Sequence, residues 1–448
     1  MKTAQGETKP AVVPEGATQA GDISPKDWDW VERHVWTERM LEALAKGVKG
    51  GVWFSLIDKI QRPSTLAAAW AAVKRNGGGA GSDHQSIEDF EKDLAEEIAR
   101  LSEALRTGSY RPRPIRRVYI DKPGSKEKRP LGIPCVRDRV VQGALRMVIE
   151  PIFENVFAYH SYGFRPRRGC KDALREVERL LRAGYTHVVD ADIKAYFDNI
   201  PHDPLMADIG HYIADGRVLE LIGSFLKQDI LEDMALWTPE KGSPQGAVVS
   251  PLLANLYLHP VDVAISAAGF EMIRYADDLV ILCRTEIEAR RALDLLDNLT
   301  TERELTLHPE KTRLVDASVP GEGFDFLGYH FERGTRWPRR KSMRKLKDTI
   351  RSKTKRNNGR SLAATIEDVN STLRGWFEYF KHSYKPTFSI VDKWVRRRLR
   401  SILRKRRGGL HGISRGYDHF RWPNAFFRAH GLYSLVEAHR ALHQSSSR

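Results

Sequence analysis

The sequence predicts an α+β protein in which an antiparallel sheet carries a group of acidic residues and a basic helical segment follows the sheet. Short β-rich runs, of which residues 187–193 and 272–283 are the clearest, alternate with stretches whose apolar residues recur every three to four positions. The positive charge lies downstream, since residues 333–407 hold 25 Lys and Arg against five Asp and Glu. Most basic runs are solvated helical faces, but this excess favours a nucleic-acid partner.

Length and composition narrow the class of protein. A chain of 448 residues is too long for one compact core, so two or three domains are expected. No run of about 18 uncharged apolar residues and no secretory signal are found, so we expect a cytoplasmic protein with no membrane partner. The three cysteines, Cys135, Cys170 and Cys283, share no C-x-x-C spacing. They predict small buried side chains rather than a disulfide framework or a zinc site.

The first part of the chain predicts mostly helical structure. Residues 1–22 have the composition of a disordered tail. The glycine-rich stretch 77–81 is expected to be a flexible hinge. A single helix is predicted from Ser86, which can cap it, to Gly108, which ends it. Two strands, residues 115–120 and 131–133, should follow with a turn between them.

The second part predicts the sheet and the helices around it. Helices are expected at residues 140–152, 171–181, 251–258 and 288–299, and strands at residues 187–193, 272–275, 279–283 and 324–331. The two strands at 272–275 and 279–283 read as a hairpin with two carboxylates at its tip. Beyond residue 331 the chain turns helical and basic.

Three acidic residues are the candidates for chemistry. Asp192 ends an apolar strand, and Asp277 and Asp278 lie at the tip of the hairpin. Transfer of a nucleotide needs two magnesium ions about 4 Å apart, and Mg²⁺ prefers carboxylate oxygens. An isolated Asp-Asp pair is more often an ordinary turn. The string YADD at 275–278 between two apolar strands should occur by chance in well under ~1% of chains this long, so the turn interpretation is disfavoured.

The motifs that surround YADD resemble those of bacterial group II intron reverse transcriptase/maturases of the type that lacks an endonuclease. The resemblance runs from about Trp36 to about Leu435. It is carried in order by GVKGGVWFSLIDK (47–59), RPLGIP (129–134), YGFRPRRG (162–169), DIKAYFDNI (192–200), GSPQGAVVSPLLAN (242–255), YADD and FLG (326–328). It implies a right-hand polymerase with fingers, a palm that contains the antiparallel sheet, a helical thumb and a small C-terminal nucleic-acid-binding region.

The resemblance also implies domain limits. Fingers and palm would cover residues 23–330, with an N-terminal extension at 23–85. The basic helical thumb, or maturase domain, would cover 331–408, and a short DNA-binding-like region 409–448. The thumb would be an amphipathic helix bundle whose apolar side is core and whose basic side faces RNA.

Site residues follow from the resemblance, position by position. Asp192, Asp277 and Asp278 would hold two Mg²⁺ ions, with the backbone carbonyl of Ile193 as a further ligand. Lys311 would lie near the leaving pyrophosphate, either as a general acid or as a neutralising charge, although alone it would be taken for a surface lysine.

Five more residues would bind the incoming nucleotide. Lys122 and Arg129 would hold its triphosphate. Lys126 is the alternative to Lys122, because residues 125–128 can be matched to the family motif with a one-residue insertion. Phe197 would exclude a 2′-hydroxyl, although core packing is the simpler reading of the residue alone. Gln245 and Gly246 would lie against the nucleotide, although Ser-Pro-x-Gly is also ordinary turn chemistry.

Six arginines are candidates for RNA binding, and each could equally be solvated. They are Arg165, Arg167, Arg168, Arg396, Arg397 and Arg398. The leading hypothesis is an RNA-directed DNA polymerase that uses dNTPs, an intron RNA template and a DNA primer or target, and that assists splicing and retrohoming. Such a protein would be nucleoid-associated when bound to DNA. The alternatives are a related reverse transcriptase without an intron, serving defence, repair or spacer acquisition, and a splicing factor whose polymerase is inactive.

Overall fold

The structure is a computed structural model. It describes residues 28–48, 51–121, 128–357, 359–407 and 415–445. The tail predicted over residues 1–22 lies outside these ranges. The chain divides into two compact units, Met1–Leu314 and Val315–Arg448. The sequence placed the change of domain after residue 330. The difference arises because residues 324–338 form a separate sheet within the second unit.

Twelve helices and eight strands are described in the first unit, the last strand crossing the division between the units. The helices are α1 (Glu38–Lys46), α2 (Ile57–Ile60), α3 (Pro63–Asn76), α4 (Ile87–Lys92), α5 (Leu94–Thr107), α6 (Val136–Glu154), α7 (Cys170–Arg182), α8 (Tyr196–Asn199), α9 (His202–Gly210), α10 (Gly216–Leu226), α11 (Ser250–Ala267) and α12 (Glu286–Glu302). The strands are β1 (Ile115–Asp121), β2 (Lys128–Ile133), β3 (His187–Asp192), β4 (Ile230–Glu232), β5 (Ala235–Trp237), β6 (Glu271–Tyr275), β7 (Asp278–Cys283) and β8 (Arg313–Asp316).

The central sheet has the strand order β6-β7-β3-β8. β3 pairs antiparallel with β7, from His187 opposite Cys283 to Asp192 opposite Asp278, and β6 and β7 form a hairpin. The apolar residues of β3 and β7 are buried because helices α7, α11 and α12 pack on the sheet. The predicted antiparallel sheet with acidic residues at one end is confirmed.

A second, outer sheet has the order β2-β1-β4-β5. β1 and β2 are antiparallel, as predicted, and β4 joins β1 in parallel through two residue pairs. The sequence does not predict β4 and β5, because three-residue strands are too short to show an alternating pattern.

Two helices that fill the core are longer than predicted. α6 and α11 replace the expected helices at 140–152 and 251–258. The prediction for α11 stopped before Pro260, because the residue before a proline usually marks the end of a helix. In the structure the helix continues through Pro260, and most of its residues are buried on all sides.

The helix predicted from Ser86 to Gly108 is two helices. The expected cap is confirmed, since the Asp89 amide donates to Ser86 Oγ at 3.0 Å. Gly108 ends α5 in the left-handed conformation, as expected. Between the two helices Asp93 has φ −113° and ψ 29°, outside the helical range. The single-helix prediction was wrong because the apolar pattern continues across a residue whose side chain favours helix ends.

The glycine-rich stretch 77–81 is held in place and is not a free hinge. Arg139 donates to the carbonyls of Gly77 and Gly79. A Cβ on Gly81 would lie 2.5 Å from the Cα of Cys135, so this glycine allows a close backbone approach. Composition alone cannot distinguish glycine that packs closely from glycine that moves.

The described residues of the second unit form a small sheet and six helices. They are β9 (Phe324–Phe326), β10 (Tyr329–Glu332), β11 (Thr335–Pro338), α13 (Arg340–Lys353), α14 (Leu362–Phe380), α15 (Pro386–Arg406), α16 (Arg415–Arg421), α17 (Asn424–Ala429) and α18 (Leu435–Ser445). The single strand predicted at 324–331 is two strands, because Leu327 and Gly328 both have positive φ and form a tight turn.

The helices of the second unit share one apolar core, which includes Leu373, Phe388 and Leu399. Asp392 on α15 fastens the last helix to this core. Its carboxylate accepts hydrogen bonds from Ser434 Oγ at 2.9 Å and from the amide of Leu435 at 3.1 Å, at the start of α18. Within the described ranges no helix combines the length and apolar character needed to cross a bilayer. Cys135 and Cys283 are buried, as predicted, whereas Cys170 is partly exposed.

Candidate active site

Two of the three predicted carboxylates lie on directly paired residues of the central sheet. Asp192 ends β3 and Asp278 begins β7, and the two residues are partners in the antiparallel register. Residues opposite each other in such a pair carry their side chains on the same face, with Cβ atoms about 4.5–5.5 Å apart. The register therefore brings together two acidic residues that are far apart in the sequence.

The third carboxylate, Asp277, lies in the two-residue loop between the paired residues Tyr275 and Asp278. Ala276, the other residue of this loop, has φ of 61°, a left-handed conformation that is uncommon for a residue with a Cβ atom. Gly163 lies against the loop so closely that an added Cβ would be 2.3 Å from the Ala276 nitrogen. Tight packing thus fixes the loop, and with it the position of Asp277.

Asp277 is electrostatically connected to its neighbours. Burial, the largest cause, raises the pKa of its carboxyl above the ordinary value, and a backbone hydrogen bond opposes this rise. The negative charge of Asp192 raises the pKa of Asp277 further, whereas Arg129 and Lys311 lower it. Asp192 and Asp277 are therefore close enough to repel each other, and a bound cation would relieve that repulsion.

The backbone next to Asp192 also presents an oxygen to the site. The Asp192 carbonyl accepts from the His308 amide at 2.7 Å, and the Lys194 amide donates to Thr306 at 2.9 Å. Peptide groups on successive strand residues point to opposite edges. The carbonyl of Ile193, between these two residues, therefore points to the β7 side, where the hairpin lies.

Lys311 lies at the acidic group. Its ammonium donates to Asp192 Oδ2 at 2.5 Å, although the side chain is 60% exposed. The contact places a proton donor with three N–H groups beside Asp192.

The donor set fits a hard divalent cation. Asp192, Asp277 and the carbonyl of Ile193 would supply oxygen ligands to Mg²⁺, with Asp278 beside them. In the described part of the chain no three His, Cys, Asp or Glu side chains are grouped closely enough to hold an ion by themselves. Mg²⁺ usually takes one or two protein carboxylates and fills its other positions with water and substrate phosphate. The protein would therefore supply only part of each coordination shell.

The loop at 242–246 is bonded to the segment that follows Asp192. The Ser243 amide donates to the carbonyl of Phe197, and the Gly242 amide donates to that of Ile200, each at 2.7 Å. Phe197 is 9% exposed and belongs to the apolar core of the first unit, as its residue type alone predicts. Exclusion of a 2′-hydroxyl by the Phe197 ring stays a prediction.

Arg129, on strand β2, contacts Gln245, which belongs to this loop. Arg129 Nε donates to Gln245 Oε1 at 2.7 Å, and the Gly132 amide donates to the Gln245 carbonyl at 2.7 Å. A Cβ on Gly246 would lie 2.4 Å from the Gly132 carbonyl oxygen, so only glycine fits there. Strand β2 and the loop thus form one surface. Lys122 and the alternative residue, Lys126, both lie outside the described residues.

Comparison with known proteins decides the family. A model for reverse transcriptases (RNA-dependent DNA polymerases) matches residues 120–331, and one for the group II intron maturase-specific domain matches residues 343–417. Protein YkfC of Escherichia coli strain K12 is 33% identical over 321 residues, which cover 62% of this chain and 83% of YkfC. The chain belongs to the group II intron reverse transcriptase/maturase family.

Other relatives of this reverse transcriptase/maturase match over shorter lengths. The group II intron-encoded protein LtrA of Lactococcus lactis subsp. cremoris is 38% identical over 230 residues, 50% of this chain and 38% of LtrA. The chain thus matches well under half the length of that relative. Among solved structures, a partial Cas6-RT-Cas1–Cas2 complex is 26% identical, with a TM-score of 0.36, over 55% of this chain and 41% of that one. Family membership confirms the predicted right-hand polymerase fold.

The arginines predicted to bind RNA in the first unit of the chain differ from one another. Arg165 is buried and donates to Glu154 and to two backbone carbonyls, so its charge is used within the fold. Arg168 lies over the ring of Tyr159, at 4.9 Å, and donates to its carbonyl. Arg167 is exposed and pairs with Asp29. Arg165 is therefore not an RNA contact.

The arginines on α15 differ in the same way. Arg398 donates to the Thr354 hydroxyl and carbonyl, at 3.1 and 2.8 Å. Arg396 lies 3.9 Å from the buried Asp392, and its side chain is 17% exposed. Arg397 is exposed. Of the three predicted contacts, Arg397 has the side chain best placed to meet a partner.

Two residues near the site were not found from the sequence. Asp198 accepts from Gln245 Nε2 at 3.3 Å. Asn255 is buried and donates to the carbonyl of Gly163, behind the hairpin loop. Both residues belong to motifs that carry the family resemblance. Asn255 could have been identified from the sequence, because an Asn within an apolar helix needs a hydrogen-bond partner when it is buried.

Proposed function

We propose that the chain is an RNA-directed DNA polymerase that joins nucleotides by two-metal chemistry at Asp192, Asp277 and Asp278. The observation that carries this proposal is the register that pairs Asp192 with Asp278, beside a turn that fixes Asp277. We assign the central sheet to the palm, the outer sheet to the fingers and the second unit to the thumb.

The proposed reaction forms a bond between the primer 3′-oxygen and the α-phosphorus of a dNTP, and breaks the bond to the bridging oxygen of pyrophosphate. Two Mg²⁺ ions, when bound, would promote ionisation of the hydroxyl and neutralise the phosphates. Asp192 and Asp277 hold negative charge where those ions would bind. Lys311 has further N–H groups besides the one at Asp192, so it can give a proton to the departing pyrophosphate.

Nucleotide binding is proposed for the surface made by β2 and the 242–246 loop. The Arg129 guanidinium, held by Gln245, would face phosphate oxygens. Gly246 leaves room for the nucleotide against the backbone. The Phe197 ring would meet a ribose 2′-hydroxyl, the group that separates RNA precursors from DNA precursors.

A second proposed activity is binding of intron RNA, to assist splicing and retrohoming. It is supported by the match of residues 343–417 to the maturase domain and by the net charge of the basic segment. Phosphate contacts of Lys and Arg are salt-dependent, since each releases counterions. Primer and target DNA and the dNTPs are the other proposed partners.

A primer-extension assay on an RNA template tests the polymerase proposal. The wild type should incorporate dNTPs in the presence of Mg²⁺, and Asp277→Asn should not, while its affinity for RNA stays unchanged. Extension by the variant at the wild-type rate would refute the site assignment.

No extension by the wild type, together with tight RNA binding, would favour the splicing factor that lacks polymerase activity. An intron RNA around the gene would separate the intron-linked protein from an intron-free relative.

A further inference from the structure

Arg274, directly before the YADD turn, is a charged residue inside the core. Its side chain is 1% exposed, and it lies on β6 between apolar neighbours. A guanidinium at such a position is costly unless every part of it is paired. In the sequence Arg274 stands within an apolar strand, so its residue type alone does not predict burial or a role at the site.

The guanidinium is anchored to helix α11 and to the loop before α7. Its Nε donates to Asp262 Oδ1 at 2.7 Å, and Nη2 donates to Asp262 Oδ2. Nη1 donates to Asn255 Oδ1 at 3.0 Å, and Nη2 also donates to Ser161 Oγ at 2.8 Å. Two faces of the arginine are thus fixed by elements that lie outside the hairpin.

The remaining contact reaches the turn itself. Nη1 donates to the carbonyl oxygen of Ala276 at 2.9 Å. That carbonyl belongs to the peptide that joins Ala276 to Asp277, so its orientation determines where the Asp277 side chain begins. Gly163 also packs against this turn, and its carbonyl accepts from Asn255 Nδ2 at 2.7 Å. Asn255 therefore connects both supports.

Stability alone does not explain an ion pair at this depth. Replacement of a buried ion pair by well-packed apolar residues is often neutral or stabilising, because the loss of hydration offsets the attraction of the charges. The planar guanidinium has five N–H donors and can bind several acceptors in one fixed geometry, which an apolar side chain cannot do. Here those acceptors belong to α11, to the 161 loop and to the catalytic turn.

We propose that Arg274 is a positioning residue that, through the Ala276 carbonyl, holds the Asp277 carboxylate at the place where it acts together with Asp192. The inference rests on the proposed polymerase function. Arg274 touches neither nucleotide nor metal in this scheme. Its loss should impair the chemical step and the binding of a divalent ion more than it impairs folding or the affinity for the nucleotide.

The test uses the full chain with three substitutions. Arg274→Lys keeps the charge and can still pair with Asp262, but it cannot reach the other acceptors at the same time. Ser161→Ala removes only one anchor and should fold even if the lysine variant does not. Arg303→Lys is the matched control, because Arg303 pairs with Asp208 and the Tyr257 carbonyl and not with the turn.

Four quantities are measured for each variant: the melting temperature, the single-turnover rate of dNTP addition, the Kd of the dNTP, and the binding of Mn²⁺ followed by electron paramagnetic resonance. For Arg274→Lys we expect a rate lower by about 10²-fold, the effect typical of a misplacement of about 1 Å. Its Kd for the dNTP should stay within about threefold, and its Mn²⁺ binding should weaken by about tenfold, amounts of about 0.6 and 1.4 kcal/mol.

Ser161→Ala should show a smaller loss of rate, about three- to tenfold, which is the scale of one hydrogen bond. Arg303→Lys should lower the melting temperature with no change in rate or in Mn²⁺ binding. The proposal is overturned if folded Arg274→Lys adds nucleotides and binds Mn²⁺ as the wild type does. If that variant does not fold, an unchanged rate for Ser161→Ala overturns it. Should Asp277→Asn remain active, the polymerase site itself is wrong, and this result is distinct from both.

Discussion

The hairpin site of the first unit and the basic helices of the second unit use charge in opposite ways. At the hairpin a few charged groups are placed by strand register and by a tight turn, so that each position matters. On α15 many positive charges follow one another, and several are already engaged by the protein, as Arg398 is by Thr354. Residue identity therefore indicates function at the hairpin, whereas the number of basic residues overstates the binding surface of the second unit.

The largest expected effect tests the hairpin side of this contrast. Asp192→Asn should reduce dNTP addition by about 10³-fold or more, because several kcal/mol of charge stabilisation at the metal site would be lost. Single-turnover kinetics on a primed RNA template measures the rate. Asp190→Asn, on the same strand and paired with Arg313, is the control, and an equal loss in that variant would mean that the loss is not specific to the position of Asp192.

A second substitution separates a proton donor from a simple counter-charge. Lys311→Arg keeps the positive charge near Asp192, but the arginine cannot transfer a proton, because a guanidinium does not deprotonate in proteins. If Lys311 donates a proton, the rate should fall by about 10²-fold. A rate within threefold of the wild type would show that only the charge is needed.

A third prediction concerns the nucleotide surface. Gln245→Ala removes the acceptor that holds Arg129, and we expect the Kd of the dNTP to rise by about tenfold, the cost of a hydrogen bond to a charged group. Titration of dNTP in single-turnover assays measures this. Gln228→Ala, at a buried glutamine that bonds to the Arg113 carbonyl in the outer-sheet region, serves as a control for loss of an amide. A rise of equal size there would argue against a contact with the nucleotide.

A smaller effect should distinguish two adjacent arginines of α15. Arg397→Ala should lower the slope of log affinity against log salt for RNA by about one, the amount expected for one phosphate contact. Arg398→Ala should leave this slope nearly unchanged and lower the melting temperature instead. Equal slopes for both variants would mean that the internal bonds of Arg398 do not limit its role, and the contrast drawn above would fail.

The smallest effect is on stability without metal. Because the folded-state pKa of Asp277 is raised, the folded protein holds this proton more tightly than the unfolded chain. The contribution of this group to stability therefore decreases as the pH rises from the ordinary carboxyl pKa through the folded value, and it stays unfavourable at neutral pH. Asp277→Asn should thus melt a few degrees higher than the wild type in EDTA, and a lower melting temperature would contradict this.

The sequence was most informative where a motif and a regular element coincide. The YADD string between two apolar strands predicted the hairpin, and the strand that ends in Asp192 predicted its partner. The sequence could not show that Arg165 is buried or that Arg397 is exposed, since both are arginines in basic runs. It also missed β4 and β5, because each strand has only three residues, and β4 pairs with β1, which lies more than a hundred residues away and leaves no local pattern.

The bonds from Asp392 to the start of α18 have a practical consequence for anyone who shortens or extends the protein. Removal of residues from about 430 onward would leave this carboxylate, 4% exposed, without its Ser434 and Leu435 donors. The same deletion would remove Leu435, which is fully buried in the apolar core of the second unit, and would therefore expose that core to water. A purification tag or fusion partner is therefore better attached beyond Ser445 than in place of the final helix.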